Sequence, residues 1–142
     1  MQSTHYAQYD VPPKQPTALV LDDDAMIRSE IGEMLSEFNY RVRYCNDFIS
    51  ALQEMEFDDD VALVIADYHL LGDEKRTFNG MLFIDCCRMR YPHRNIQYFL
   101  MSGDREPLIQ NKDDKEVPMI SKTDAIEQLS KHVTSCYGHA AA

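Results

Sequence analysis

Apolar and polar positions follow a repeating order along this chain: a short apolar run, then a segment with apolar residues at helical spacing. The runs at 18–21 and 61–66 are continuous and apolar, which is typical of buried strands. The run at 41–45 mixes polar and apolar positions, which predicts a strand at a sheet edge. Two more runs, at 96–101 and 118–121, predict a fourth and a fifth strand.

The segments between these runs predict helices. Apolar residues recur at helical spacing over 27–38, and Asp24 is well placed to cap the start of that helix. Asn46 is the predicted cap of the second helix, and Asn79 opens the third. The segment 105–116 is polar and poorly periodic, so a helix there is expected to be short or weak. Strand and helix alternate throughout, which favours a parallel sheet with helices on both faces.

The length of 142 residues suits one domain with a substantial core. Residues 1–16 contain three prolines and little periodicity, so we expect a flexible extension there. The domain itself is expected to span residues 17–137, and residues 138–142 form a short tail in this prediction.

Composition narrows the classes of partner. A formal net charge of −10 at pH 7 argues against direct nucleic-acid binding, because a phosphate backbone attracts Lys and Arg. No apolar run approaches the ~20 residues needed to cross a bilayer, and the N-terminus lacks the basic start and apolar stretch of a signal peptide. The four cysteines fit no zinc-binding spacing and are expected to be reduced. We therefore expect a cytoplasmic protein without membrane contact.

Polar residues stand at the end of four of the five predicted strands. Asp22 and Asp23 follow the first strand, Asp67 the third, Ser102 the fourth, and Lys122 the fifth. Ligands of parallel α/β sheets bind at the carboxyl ends of the strands. Three carboxylates with one hydroxyl and one ammonium group there suggest a site for a divalent cation and a phosphoryl group. Mg²⁺ takes oxygen ligands, and a carboxylate can act as the nucleophile that forms an acyl phosphate.

Four motifs in this order, LVLDDD, VALVIADYHL, FLMSG and MISK, resemble the receiver domain of two-component response regulators over residues 17–137. Each motif alone is weak, but each stands at the end of its own predicted strand. The resemblance implies an α/β, flavodoxin-like, doubly wound fold with five parallel strands in the order 2-1-3-4-5. It also implies a regulatory domain without catalytic turnover, phosphorylated by the phosphohistidine of a sensor histidine kinase or a phosphotransfer protein.

The resemblance assigns the acidic residues. Asp67 would be the phosphoacceptor. Asp23 and Asp67 would bind Mg²⁺ directly, with the backbone carbonyl of His69 as a third protein ligand, and Asp22 would act mostly through a metal-bound water. Asp24 matches no catalytic position in the family, so capping is its expected role.

Ser102 matches the switch hydroxyl of the family, and Lys122 matches its phosphate-contacting lysine. Three positions depart from the family pattern. Leu71 replaces a proline four residues after the phosphoacceptor, and Met119 replaces the usual switching aromatic. Thr123 replaces a proline after the lysine, so we expect a trans peptide bond there, because a cis bond before a non-proline residue costs ~3–4 kcal/mol.

Two further features lie beside the predicted site. The stretch 72–79 is an insertion, most simply a tolerated surface loop, although it could shade the site or present a partner surface. His69 and Asp104 each stand two residues past a site residue, and we hypothesise that they influence the lifetime of the acyl phosphate. The acidic run 58–60 is interpreted as a solvated turn.

Two other functions stay open at this point. The departures from the family pattern allow a degenerate receiver that serves as a phosphorylation-independent interaction domain. The spacing of Asp22 and Asp24, followed by Ser102 and Lys122, also resembles phosphatases of the haloacid-dehalogenase type, with Asp22 as nucleophile and Asp24 as acid/base. That second alternative leaves Asp67 without a role.

Overall fold

The computed structural model describes residues 15–70, 79–103 and 117–141, with side chains to residue 133. Its strands are β1 (Thr17–Leu21), β2 (Arg41–Cys45), β3 (Val61–Asp67), β4 (Gln97–Ser102) and β5 (Met119–Ser121). Its helices are α1 (Ala25–Glu37), α2 (Phe48–Phe57), α3 (Gly80–Arg90) and α4 (Ala125–Ala141), and a 3₁₀ turn at Lys122–Asp124 precedes α4.

The five strands form one sheet in the order β2-β1-β3-β4-β5, and every neighbouring pair is parallel. The predicted fold class and strand order are therefore confirmed, and β2 lies at an edge as its mixed sequence indicates. The strand order reverses between β1 and β3. This reversal opens a crevice at the carboxyl ends of these two strands, which is where ligands of such sheets bind.

Two apolar layers cover the sheet, one on each face. Side chains of β1 alternate between them: Leu19 packs with α2 and α3, and Val20 packs with α1 and α4. Phe83 of α3 is completely buried in the first layer, and Leu129 of α4 in the second. Because both faces are covered, the central strands need continuous apolar runs, and these runs are what made the strands predictable.

The helix ends agree with the sequence predictions at two positions and differ at two. The carboxylate of Asp24 accepts the backbone N–H groups of Met26 and Ile27 at the start of α1, and Asn79 caps α3. The predicted cap of α2 was wrong by one residue: Asp47, not Asn46, accepts the N–H of Ser50. At the other end of the chain, α4 continues to Ala141, so its backbone includes most of the predicted tail.

Several predictions fall outside the described residues: most of the extension at 1–16, Leu71, most of the insertion at 72–79, Asp104, and the weak helix at 105–116. Within the described part of the chain, no helix combines the length and the apolar character needed to cross a membrane. Cys45 and Cys87 are buried free thiols, and burial raises the pKa of each to about 12.

Candidate functional site

The three predicted aspartates meet at the carboxyl ends of β1 and β3. Leu21 of β1 lies in register with Ala66 of β3, so the residues that follow, Asp22 and Asp67, lie side by side. One carboxylate oxygen from each of Asp22, Asp23 and Asp67 can be chosen so that all three lie within 4.8 Å of one another. The strand pairing thus brings together residues that are far apart in the sequence.

Lys122 joins this cluster from the end of β5. Its Nζ lies 2.9 Å from Oδ2 of Asp67 and donates a hydrogen bond to it. The same Nζ lies 3.1 Å from Oδ2 of Asp22 and donates a long hydrogen bond, of 3.5 Å, to Oδ1 of that residue. One ammonium group therefore bridges the two buried carboxylates.

Burial makes this cluster electrostatically costly. Asp22 is completely buried and Asp67 is 3% exposed, whereas the Lys122 side chain is 22% exposed. Burial raises the pKa of Asp22, and burial together with the nearby charge of Asp22 raises the pKa of Asp67 to about 6. Burial alone would lower the pKa of Lys122, but its bonds to the two aspartates raise it. One lysine does not fully compensate two buried carboxylates.

Backbone contacts fix the position of Asp22. Its Oδ1 accepts the N–H of Asp24 at 2.8 Å, and its own N–H donates to the carbonyl of Cys45 at 3.1 Å. Nη1 of Arg28 donates to the backbone carbonyl of Asp22 at 2.8 Å. The sequence analysis missed Arg28, and the only available signal was its position in the first turns of α1, directly behind the acidic run.

The start of α3 fits closely against Asp67. The N–H of His69 donates to Oδ1 of Asp67 at 3.3 Å, and the N–H of Gly80 donates to the carbonyl of Tyr68 at 3.1 Å. A Cβ atom at position 80 would lie 2.1 Å from the backbone oxygen of Asp67. Only glycine permits this approach, so Gly80 positions the strand end that carries Asp67.

Ser102 is the last residue of β4 and is completely buried. Met101 lies in register with Asp67, so Ser102 lies one residue beyond Asp67 at the same carboxyl end of the sheet. Met119 is half-buried against the apolar layer formed with α2 and α3. The described residues contain no cis peptide bond, so the bond after Lys122 is trans as expected.

The donor set suits a hard divalent cation. Mg²⁺ prefers carboxylate and carbonyl oxygens and keeps several water ligands, so three clustered carboxylates are enough to hold it. Burial raises the pKa of Asp22 and of Asp67, so their ionised forms are disfavoured unless further positive charge lies nearby. A bound cation would supply that charge, so the chemistry of the three carboxylates fits a magnesium ion.

No protein-family model matches the sequence, and a search of curated proteins finds no match. Solved structures do match. The signal receiver domain of an HD domain-containing protein from Pseudomonas fluorescens Pf-5 is 23% identical, with a TM-score of 0.71 over 89% of this chain and 98% of that one. The Vibrio cholerae chemotaxis protein CheY4 is 18% identical, with a TM-score of 0.69 over 86% of this chain and 98% of that one.

A third similar structure is the receiver domain of DrrB in a BeF₃-activated form. It is 18% identical, with a TM-score of 0.67 over 86% of this chain and 97% of that one. At these levels of identity the likeness concerns the fold. The chain has the CheY-like fold of response-regulator receiver domains.

Proposed function

We propose that this chain is a phosphorylation-dependent signalling receiver. Asp67 accepts a phosphoryl group from the phosphohistidine of a sensor histidine kinase or phosphotransfer protein, with Mg²⁺ as cofactor. The observation that carries this proposal is the buried Asp67 carboxylate, which lies beside Asp22 and Asp23 and 2.9 Å from the Lys122 ammonium group. Such a domain acts in the cytoplasm through protein contacts, without turnover and without direct nucleic-acid binding.

The chemistry is a transfer between two nucleophiles. An oxygen of Asp67 attacks the phosphorus, a P–O bond forms, the P–N bond to the donor imidazole breaks, and that nitrogen keeps the bonding electron pair. The attacking oxygen must be ionised. With the pKa of Asp67 raised to about 6, most of the carboxylate is ionised at neutral pH, and Lys122 supplies a positive charge that can contact the incoming oxygens.

Asp23 and Asp67 would hold Mg²⁺ directly, with the carbonyl of His69, while Asp22 would act through a water molecule. The ion supplies charge neutralisation for the phosphoryl oxygens. The buried position of Asp22 supports an indirect role, because its carboxylate is already held by the N–H of Asp24 and by Lys122.

Ser102 supplies the switch in this proposal. Its hydroxyl lies at the same edge of the sheet as Asp67 and would donate a hydrogen bond to the phosphoryl group, which shifts the surface formed around β4 and β5. Met119 on β5 takes the place of an aromatic residue, so the movement is expected to lack a rotating ring.

One contact weighs against the phosphatase alternative. Asp24, which would have to serve there as acid/base, accepts the N–H groups of Met26 and Ile27 as the cap of α1. A carboxylate oxygen that caps the helix in this way is engaged in a structural contact and is less available to contact a substrate. Asp67, at the end of the longest strand, would again have no role.

The direct test is incubation with acetyl phosphate and Mg²⁺, followed by intact mass measurement. We expect the wild-type protein to gain one phosphoryl group and Asp67→Asn to gain none. Asp58→Asn, a variant at the amino ends of the strands, should gain one. No gain by the wild type, together with no response to beryllofluoride and Mg²⁺, would establish a degenerate receiver. A label that persists in Asp67→Asn and disappears in Asp22→Asn would support the phosphatase chemistry.

A further inference from the structure

A cleft separates the start of α1 from the end of β2, beside the acidic cluster. Its volume is about 440 Å³, within the ~300–1,000 Å³ that small-molecule sites usually have. No residue assigned to phosphoryl transfer lines it. The lining residues are Ala25, Arg28, Ser29, Tyr44, Cys45 and Asn46.

Tyr44 forms one wall, and its position is fixed by a glycine. Tyr44 is 50% exposed. Its tip rests on α1 at Gly32, where an added Cβ would lie 1.8 Å from the phenol oxygen. A glycine inside a helix costs ~1 kcal/mol relative to alanine. Here the glycine leaves the space that the Tyr44 ring occupies.

Arg28 provides the only charge among the lining residues. Its guanidinium is half-buried and is oriented by the bond from Nη1 to the carbonyl of Asp22, 2.8 Å away. Ser29 and Asn46 add an exposed hydroxyl and an exposed amide. No carboxylate lines the cleft, although the whole chain carries a net charge of −10. Among the lining residues, Arg28 is therefore the charged group that an anion would contact.

We infer that this cleft binds a small organic anion with a planar ring, of the size and chemistry of a nucleoside monophosphate. Guanidinium groups bind phosphate oxygens with a fixed geometry, and Arg28 is held ready for this by Asp22. The open face of Tyr44 offers a surface on which a base can stack. Ser29 and Asn46 can hydrogen-bond the polar edges of such a ligand. This site is independent of the phosphoacceptor function proposed for Asp67.

The test uses AMP as the probe and adenosine as its uncharged counterpart, with binding followed by NMR titration of the full chain. Wild-type protein is expected to bind AMP at least about tenfold more tightly than adenosine. Tyr44→Ala is expected to weaken AMP binding by about fivefold to a hundredfold, the range for loss of one base–aromatic stack, while Tyr44→Phe retains it. Gly32→Ala is expected to weaken binding by displacing the ring.

A carboxylate placed inside the cleft provides the matched comparison. Ser29→Asp should reduce AMP binding about tenfold, whereas Ser36→Asp, on an exposed position of the same helix, should not change it. Melting temperatures verify that each variant is folded. No saturable AMP binding by the wild type would overturn the inference. So would equal losses in Ser29→Asp and Ser36→Asp, or loss in Asp67→Asn with none in Tyr44→Ala, which would place AMP at the acidic cluster instead.

Discussion

Both ends of the central strands carry aspartates beside one basic residue, yet the two ends differ in how well the charges are satisfied. At the amino ends, Asp58 accepts the hydroxyl of Thr17 at 2.9 Å and the N–H of Asp60 at 2.8 Å, and Arg41 lies 3.3 Å away. At the carboxyl ends, Asp22 and Asp67 share Lys122. The first group is a structural clamp, and the second is the candidate site.

The pKa values follow this difference. Burial alone would raise the pKa of Asp58, but the hydrogen bonds from Asp60 and Thr17 and the charge of Arg41 lower it overall. The pKa of Asp67 is raised to about 6, because burial outweighs the bond to Lys122. The less deeply buried Asp58 therefore stabilises the fold at one end, and the fully ionised form of the more buried Asp67 opposes it at the other. An uncompensated charge at a ligand-binding edge is a mark of function.

The largest contrast is expected from removing the basic side chain at each end of the strands. Lys122→Gln should lower the free energy of unfolding by about 2–4 kcal/mol in Mg²⁺-free buffer, because it leaves two buried carboxylates without a positively charged partner. Arg41→Gln should cost about 1 kcal/mol or less, because the Arg41 side chain is 43% exposed and its ion pairs are screened by water. Urea unfolding with and without Mg²⁺ measures both.

Mg²⁺ should stabilise Arg41→Gln by the same amount as the wild type, because the acidic cluster is intact in both, and should stabilise Lys122→Gln by more, because it replaces the missing positive charge. If Mg²⁺ changed the two variants equally, the proposed difference between the two ends of the sheet would be wrong.

The sequence predicted the fold and most of the carboxyl-end cluster because the relevant signals are local. A buried parallel strand needs a continuous apolar run, and a polar residue that ends the run marks its carboxyl end. Asp22, Asp67 and Lys122 could be placed together from these signals alone. The cap of α2 was misplaced by one residue because Asn46 and Asp47 are both good capping residues, and only the backbone geometry distinguishes them.

What the sequence did not reveal depends on contacts between distant segments. Residues 58–60 were interpreted as a solvated turn, but Asp58 is largely buried and binds Thr17, 41 positions earlier in the chain. The role of Gly80 depends on how closely α3 approaches the backbone of Asp67, which no local pattern encodes. The bond from Arg28 to the carbonyl of Asp22 likewise requires the finished packing of α1 against the sheet.

Replacing each aspartate by asparagine should change stability in opposite directions. The folded-state pKa of Asp67 lies above its unfolded value of about 3.8, so its ionisation destabilises the fold as pH rises from about 4 to about 6. Asp67→Asn removes that cost and should stabilise the Mg²⁺-free protein by about 1–2 kcal/mol at pH 7.5. The measurement is urea unfolding at that pH.

Asp58→Asn should destabilise by about 1–2 kcal/mol at the same pH, because it weakens several charge-assisted hydrogen bonds. The folded-state pKa of Asp58 is lowered, so its contribution is present above pH ~4 and is lost as pH falls through the folded value. Destabilisation of similar size in both variants would show that the carboxyl end is as well compensated as the amino end.

A smaller effect concerns how the affinity for Mg²⁺ depends on pH. Protons compete with the cation for Asp67, so the apparent Mg²⁺ affinity should be nearly constant above pH ~7 and weaken about tenfold for each unit below about pH 6. The increase in melting temperature at a fixed Mg²⁺ concentration should therefore shrink between pH 7.5 and pH 5. Asp58→Asn should show the same profile, because the pKa of Asp58 is lowered and it does not titrate in this range. A stabilisation by Mg²⁺ that is independent of pH, or one that persists in Asp67→Asn, would mean that the cation binds elsewhere on this acidic surface.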